Sequence, residues 1–243
     1  MNFLNSGLGI WQIMNSNIIT DLIAKSGFDF TILDLEHGLH NPKTIQDCVF
    51  AAKSNSLLTV ARIPNSSYQD IVQLIDTGID AILFPHIETT HQLNEILQKS
   101  LLPPFGKKSF SPFVSKYNYG DLNKELKEKL SIGILIESIK GIENVEILLQ
   151  ETNIDFVYFG AYDLSVEIGK PGEIFDHVII NYLKILIRQA KKNKKKVLAI
   201  YRDQKELDIL LEIGIELPVA SVDTSHLMNK LKAETNKYNK TIS

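Results

Sequence analysis

The stretch Phe30-Thr31-Ile32-Leu33-Asp34-Leu35-Glu36-His37-Gly38 is a short apolar run that ends in a dense polar cluster. An apolar run of this length before a glycine predicts a buried strand. Asp34 and Glu36 share one face of that strand because successive side chains alternate, and His37 lies where the strand becomes a loop. Unpaired buried charges are costly, so these groups either pair with one another and hold the loop, or face a wet cleft and bind a ligand.

Similar apolar runs recur along the chain, separated by segments with helical spacing. Strands are predicted at residues 9–13, 30–35, 57–61, 81–85, 132–136, 155–159, 197–201 and 217–222. Helices are predicted at residues 17–25, 41–54, 67–76, 88–100, 122–130, 141–150, 175–192, 204–212 and 224–240. Eight alternating units predict an α/β fold, a closed (β/α)8 TIM barrel with the helices outside. The rival, a doubly wound open sheet, expects a G-x-G-x-x-G loop after an early strand, and the sequence has none.

Composition limits the class of protein. The 243 residues, 44% of them hydrophobic, predict one domain spanning residues 1–243. A net charge of −3 with mixed signs gives no reason to expect a nucleic-acid partner. The single cysteine, Cys48, excludes a disulfide framework and a thiolate metal cluster. No apolar run reaches the roughly 20 residues of a membrane span, and no signal peptide is evident, so a cytoplasmic protein is expected.

Polar groups collect at the carboxyl ends of the predicted strands, whereas the strand interiors are almost free of charge. These groups are Asp34, Glu36, His37, Arg62, Glu137, Asp163 and Asp223. In a barrel the carboxyl ends of all strands converge on one mouth, which is where functional groups of this fold lie. The sequence therefore predicts an active site at this mouth.

Glu137 and Asp163 follow neighbouring predicted strands, with no cysteine nearby. Two carboxylates suit a hard divalent cation such as Mg²⁺ or Mn²⁺, which accepts few protein ligands and keeps water for substrate to replace. The alternative is that both residues cap helices. Asp163 precedes Leu164-Ser165 and suits that role, whereas Glu137 is a poor capping residue.

Six motifs occur in an informative order and spacing along nearly the whole chain. They are Leu33-Asp34-Leu35-Glu36-His37, Val60-Ala61-Arg62, Leu74-Ile75-Asp76-Thr77-Gly78, Pro103-Pro104-Phe105-Gly106, Ile136-Glu137 and Gly160-Ala161-Tyr162-Asp163-Leu164-Ser165. As a set they resemble the metal-dependent hydroxy-oxo-acid aldolases typified by hydroxy-keto-heptanedioate aldolase, in the superfamily of citrate lyase β-type enzymes. The resemblance implies a (β/α)8 barrel in a homo-oligomer, a hexamer or trimer, with the last helix, about residues 224–240, exchanged between subunits.

The resemblance also implies an activity, the reversible cleavage of a 4-hydroxy-2-oxo acid into pyruvate, or a related 2-oxo acid, and an aldehyde. It implies that Glu137 and Asp163 bind Mg²⁺, Mn²⁺ or Co²⁺, and that His37 is the base. Arg62 would hold the oxo acid and stabilise the transition state. Asp76 would raise the basicity of the histidine, although it ends a predicted helix on the opposite face of the barrel. A structural helix-end carboxylate is therefore an equal interpretation of Asp76.

Elementary chemistry agrees with these implied roles. Carbon–carbon cleavage beside a ketone leaves an enolate, whose charge a divalent cation stabilises as a Lewis acid. Arg62 adds a fixed fork of donors for a carboxylate or an oxyanion. His37 can accept a hydroxyl proton, as histidine side chains do in general acid–base catalysis. The rival chemistry, a Schiff base, needs a lysine in an apolar strand near the mouth, and none of the eight predicted strands carries one.

The chain departs from the family in the predicted substrate wall. Leu135 stands where the family usually has a glutamine that binds substrate, and Tyr162 brings a large ring next to Asp163 in the segment that begins at Gly160. Together with Arg62, these three positions are the expected substrate contacts, and the altered wall predicts a different aldehyde or acid. Two alternatives remain open, a barrel that binds an oxo acid or metal without turnover and a lyase acting on acyl-CoA esters.

The segment at residues 101–121 is a long irregular loop with three prolines and several aromatic residues. Long loops within compact domains tend to be functional. It follows the fourth strand, so it is expected to rise over the barrel mouth, with Lys107 or Lys108 facing an anionic substrate tail. Its aromatic residues are expected either to pack on this barrel or to cover the site of a neighbouring copy in an oligomer, and water exclusion over an enolate favours the second role. The alternative is packing against the outer helices.

Overall fold

Eight apolar runs form parallel strands that pair in the order of the sequence, and the last pairs with the first to close a barrel. The strands are β1 Gly9–Gln12, β2 Phe30–Asp34, β3 Leu58–Arg62, β4 Ala81–Phe84, β5 Ser131–Ile136, β6 Phe156–Phe159, β7 Lys196–Tyr201 and β8 Leu217–Val222. The structure is a computed structural model and describes residues 7–64, 67–121 and 130–242. The predicted (β/α)8 barrel is confirmed.

Helices surround the barrel and connect its strands. They are α1 Asn17–Lys25, α2 Pro42–Lys53, α3 Tyr68–Asp76, α4 Thr90–Ser100, α5 Ile139–Glu143, α6 Val145–Leu148, α7 Ala161–Glu167, α8 His177–Lys192, α9 Gln204–Glu212 and α10 Asp223–Ile242. Asn41, Ser67 and Thr89 start α2, α3 and α4 with capping boxes, which satisfy backbone N–H groups at each helix start. Across the described ranges, no helix is long and apolar enough to cross a membrane.

Two helical segments differ from the sequence expectation, and a third lies largely outside the described residues. The helix predicted at residues 141–150 is two short helices, α5 and α6, that meet at Asn144. The seven-residue helix α7 was not predicted, because it starts directly after β6 and is too short to show helical periodicity. Residues 122–129 of the predicted charged helix lie outside the described residues.

Aromatic rings fill the lower part of the barrel. Inward-facing residues alternate along each strand, so Gly133 and Leu135 of β5 lie beside Phe156 and Tyr158 of β6 in the strand register. The ring of Phe156 covers Gly133 so closely that a Cβ atom there would lie 2.2 Å from a ring carbon. This filling places Leu135 and Tyr158 in the next layer, at the floor of the mouth.

The long loop at residues 101–121 packs on the outside of the barrel. The hydroxyl of Tyr68 in α3 donates to the carbonyl of Lys107 (3.2 Å), and the amide of Lys107 donates to the carbonyl of Gln98 in α4 (2.7 Å). The expectation that this loop rises over its own barrel mouth is wrong. The helix α4 follows β4 and reverses the chain, so the loop belongs to the connection from α4 back to the start of β5.

Candidate active site

A pocket of about 240 Å³ opens at the carboxyl ends of the strands. Its lining includes most of the residues predicted from the sequence, namely Asp34, His37, Arg62, Leu135, Glu137, Gly160, Tyr162 and Asp163. Trp11, Tyr158, Ile200 and Val222 complete much of the wall. Glu36 lies just behind this wall, where it contacts Arg62.

Arg62 and Asp34 form a buried ion pair at the last positions of β3 and β2, which are partners in the strand register. Nε of Arg62 donates to Oδ1 of Asp34 (2.9 Å), and Nη2 donates to Oδ2. Oδ1 also accepts the backbone amides of Glu36 (2.9 Å) and His37 (3.2 Å). Asp34 therefore orients the arginine and shapes the loop that carries His37, which is itself exposed at the pocket rim.

Trp11 supports the guanidinium group of Arg62 from below. The guanidinium carbon lies 4.6 Å from the centroid of the indole ring, which is a cation–π distance. Nε1 of Trp11 donates to the hydroxyl of Tyr158 (2.6 Å). Sequence reasoning missed both aromatic residues, although each occupies an inward-facing position of a predicted strand.

His86 bridges the carboxylates of Glu36 and Glu137. It follows β4 with a positive φ of 58°, and its amide donates to Oε1 of Glu137 (2.8 Å). Its ring places Nδ1 at 2.8 Å from the same oxygen and Nε2 at 2.8 Å from Oε1 of Glu36. Burial opposes protonation of the ring, but the charge of Glu137 and the hydrogen bond with Glu36 outweigh it and raise the pKa of His86.

Sequence reasoning also missed His86, although a signal was present. His86 is a polar residue directly after the fourth apolar strand, in Phe84-Pro85-His86, and the same strand-end rule identified Arg62 and Glu137.

Glu137 and Asp163 lie together at the pocket rim. Glu137 is buried, whereas Asp163 is exposed in the first turn of α7. The pKa of Glu137 is raised to about 7, chiefly by burial and also by the negative charge of Asp163, whereas His86 acts in the opposite direction. Gly160 permits this arrangement, because a Cβ atom at that position would lie 2.3 Å from Cβ of Glu137.

This donor set fits a divalent cation. Two carboxylates held close together repel each other, and the raised pKa of Glu137 records that repulsion together with its burial. No group of three or more histidine, cysteine or acidic residues in the described part of the chain could hold a metal. A cation here would complete its coordination with oxygen atoms of water or substrate. Mg²⁺ usually binds proteins in this way, through one or two carboxylates.

Asp76 lies apart from this pocket. Its carboxylate is 3.0 Å from Nζ of the buried Lys108 and borders a groove between α2 and α3. The chain after α3 is at the opposite end of the barrel, since the side chain of Asp80 accepts the amide of Thr59 near the start of β3 (2.8 Å). Within one chain, the structure therefore does not bring Asp76 to His37, and Lys108 faces Asp76 instead of a substrate.

Asp223 has a structural role, because its carboxylate joins two segments of backbone. Its carboxylate accepts the backbone amides of Ile13 (3.2 Å) and Met14 (3.0 Å), which ties the start of α10 to the end of β1. Asp223 is absent from the lining of the pocket, so its place at a strand end did not indicate a site residue.

Known proteins resemble this chain along most of its length. The family described as HpcH/HpaI aldolase/citrate lyase matches residues 8–230. A hydroxypyruvate/pyruvate aldolase of Roseobacter denitrificans is 23% identical over 234 residues, which cover 95% of this chain and 91% of that protein. A 2-keto-3-deoxy-L-rhamnonate aldolase of Klebsiella pneumoniae is 26% identical over 224 residues, which cover 89% and 83%.

Solved structures share the fold at low sequence identity. An HpcH/HpaI aldolase/citrate lyase family protein from Burkholderia cenocepacia superposes with a TM-score of 0.89 at 20% identity, covering 96% of this chain and 95% of that one. The citrate synthase SbnG superposes with a TM-score of 0.87 at 22% identity, covering 97% and 94%. The resemblance inferred from the six sequence motifs is confirmed.

Proposed function

This chain belongs to the HpcH/HpaI aldolase/citrate lyase family, and from that membership we propose that it catalyses reversible, divalent-metal-dependent cleavage of a 4-hydroxy-2-oxo acid. The products would be pyruvate, or a related 2-oxo acid, and an aldehyde. The relatives named above are aldolases, which places the reaction among carbon–carbon lyases. The observation that carries the proposal is one pocket that combines the Glu137–Asp163 pair with the fixed guanidinium group of Arg62.

Glu137 and Asp163 are the residues that we propose hold the metal. Bound there, a divalent cation would provide a Lewis acid for the ketone and carboxylate oxygens of an oxo acid. The oxygen donors favour Mg²⁺ or Mn²⁺, and the proposal also includes Co²⁺. A citrate lyase beta subunit of Mycobacterium tuberculosis, which shares this fold with a TM-score of 0.59 at 16% identity and covers 93% of this chain and 95% of that one, has been solved with magnesium and oxaloacetate.

The remaining residues of the pocket would bind substrate and move a proton. Arg62 offers its free N–H groups to an oxyanion, and its pairing with Asp34 keeps the guanidinium group fixed. His37 at the rim is the group that we propose accepts the proton of the substrate hydroxyl. Glu36 would act indirectly, because it contacts both Arg62 (3.1 Å) and His86 (2.8 Å).

We propose that residues 1–243 form one domain, that the protein works in the cytoplasm, and that several copies assemble with α10 exchanged between them. In such an assembly Asp76 could approach the His37 of another copy, which would reconcile its implied role with its position in the single chain. Substrate contacts are proposed at Leu135, Gly160 and Tyr162, all of which line the pocket.

A screen in the synthesis direction tests the proposed function. Pyruvate and oxaloacetate are each combined with a panel of aldehydes, with Mg²⁺, Mn²⁺ or Co²⁺, and the products are identified by mass spectrometry. We expect a 4-hydroxy-2-oxo acid to form when metal is present and to be absent when a chelator is added. Glu137→Gln is the inactive control. Tight oxo-acid binding without product from any aldehyde would favour the alternative, a binding protein without turnover, which the substitutions at Leu135 and Tyr162 motivate.

The other alternative, a lyase that acts on acyl-CoA esters, finds less support. A pocket of about 240 Å³ suits a small oxo acid better than the extended coenzyme.

A further inference from the structure

Tyr158 is a buried tyrosine in the wall of the active-site pocket, and sequence reasoning gave it no role. It is the register partner of Leu135 on the neighbouring strand, two residues before Glu137. Leu135, Ile200 and Val222 make the surrounding wall apolar. The phenol hydroxyl is therefore a polar group in a largely apolar part of the wall.

The hydrogen bond with Trp11 leaves the proton of this hydroxyl unused. Nε1 of Trp11 is a donor only, so Tyr158 accepts in that bond, at 2.6 Å. A phenol has one proton to donate in addition to its two acceptor positions. Among the hydrogen bonds of the described residues, none takes the proton of Tyr158. Burial raises the pKa of Tyr158, so the proton remains on the oxygen at neutral pH.

The indole ring of Trp11 joins Tyr158 to Arg62. Its N–H edge contacts the hydroxyl of Tyr158, and its face supports the guanidinium group 4.6 Å from the ring centroid. The rings of Trp11 and Tyr158 meet edge to face with centroids 5.2 Å apart, a favourable arrangement that fixes both. Two donors for anionic oxygen, a phenol and a guanidinium group, are thus attached to one rigid support.

We infer that Tyr158 is a substrate-binding residue whose hydroxyl donates a hydrogen bond to an anionic oxygen of the 2-oxo acid, the same oxygen that Arg62 faces. The proton stays on Tyr158, and no bond to it breaks. Trp11 is the positioning residue that holds both donors in place. This inference rests on the proposed function, because it assigns a further contact to the oxo acid of that reaction.

The sole tryptophan of the chain makes the inference testable without an activity assay. Oxalate is a planar dianion that resembles the enolate of pyruvate. Its binding to the Mg²⁺-loaded protein is followed through the fluorescence of Trp11, and Mg²⁺ binding is measured separately by calorimetry. Tyr158→Phe should weaken oxalate binding by about tenfold or more and leave Mg²⁺ affinity unchanged, since a hydrogen bond to a charged group is lost.

Tyr201→Phe is the matched control. Tyr201 ends β7 and follows the pocket residue Ile200, so its side chain points away from the pocket. This control should bind oxalate like the wild type. Equal oxalate affinity in Tyr158→Phe and wild type would overturn the inference and leave the proposed function standing. Parallel losses of oxalate and Mg²⁺ affinity would overturn it as well, since they would indicate distortion. A wild type that binds neither oxalate nor pyruvate would contradict the proposed function itself.

Discussion

At the scale of single residues, Glu137 links electrostatics to the proposed metal site. Its burial and the nearby charge of Asp163 raise its pKa to about 7, whereas His86 acts in the opposite direction. A carboxyl group with a raised pKa holds its proton below that pKa and releases it above. A divalent cation must displace this proton, so metal affinity should increase as the pH rises through about 7.

The first prediction is therefore a pH dependence of metal binding. Calorimetric titration with Mn²⁺ should show affinity about tenfold higher near pH 8 than near pH 6. Glu137→Gln and Asp163→Asn should each weaken binding by about 100-fold or more, and Glu137→Gln should lose most of the pH dependence. The control Glu95→Gln, on the exposed face of α4, should leave the affinity unchanged. Unchanged affinity in both site variants would rule out the metal assignment.

Arg62 provides the second prediction. The guanidinium group of Arg62 pairs with Asp34 through two nitrogen atoms and stacks on Trp11. A lysine would keep the positive charge but would reproduce neither contact. Arg62→Lys should therefore lower kcat/KM nearly as much as Arg62→Ala, by about 100-fold or more. Arg188→Lys, on the exposed face of α8, is the control with the same substitution. Recovery of most activity in Arg62→Lys would reduce Arg62 to a general positive charge.

Much of the site could be predicted residue by residue. Asp34, Arg62 and Glu137 are charged residues at the ends of apolar runs, a pattern that is visible without coordinates. Trp11 and Tyr158 could not be identified in this way, because an aromatic residue in a strand usually belongs to the core. Their role depends on a hydrogen bond across 147 positions of sequence.

At the scale of elements, the loop between α4 and β5 shows that a local sequence pattern can identify a loop without locating it in the fold. Its prolines and aromatic residues correctly indicated an irregular loop, but they carry no information about which end of the barrel it occupies. The intervening helix α4 determines that end, because each helix returns the chain to the start of the next strand. For the same reason Asp76, at the end of α3, is remote from His37 within one chain.

Lys108 provides a prediction at this scale. Its side chain is buried and pairs with Asp76 (3.0 Å), whereas the neighbouring Lys107 is exposed. Lys108→Ala should lower the free energy of unfolding by about 1–3 kcal/mol, since it leaves a partly buried carboxylate without its partner. Lys107→Ala should change it little. Urea denaturation measures both effects. If both variants were equally stable and Lys108→Ala raised KM selectively for acidic aldehydes, the loop would contact substrate after all.

At the scale of the whole molecule, helix α10 is notable because most of its length does not pack against the barrel. This 20-residue helix is exposed along its length after Asp223. Leu227, Leu231 and Tyr238 lie on one face by helical spacing, and they are 46%, 54% and 66% exposed. We propose that this apolar face contacts another copy through the exchange of α10.

The assembly can be tested by light scattering after size-exclusion chromatography. The wild type should elute as a homo-oligomer, a hexamer or trimer. Leu227→Asp combined with Leu231→Asp should shift it to smaller species, because charges replace the apolar face. Lys232→Gln, also exposed on α10, should keep the wild-type mass. A monomeric wild type, or a double variant of unchanged mass, would contradict the proposed role of α10.

The barrel itself could be predicted almost completely. Each strand and helix shows its own hydrophobic periodicity in the sequence, and the alternation of strands with helices fixes the topology. The proposed contact through α10 could not be predicted from periodicity, since its apolar stripe resembles that of a helix that packs on its own barrel. Only the position of the helix, which leaves the barrel after β8, shows that this stripe is uncovered.

The most direct test of metal-dependent oxo-acid chemistry is deuterium exchange into the methyl group of pyruvate, followed by proton NMR in D₂O. Exchange reports enolate formation without any knowledge of the aldehyde. The wild-type protein should catalyse exchange with Mg²⁺ and lose it with chelator, and Glu137→Gln should show none. Exchange that persists with chelator, or no exchange with Mg²⁺, Mn²⁺ or Co²⁺, would contradict metal-dependent enolate formation.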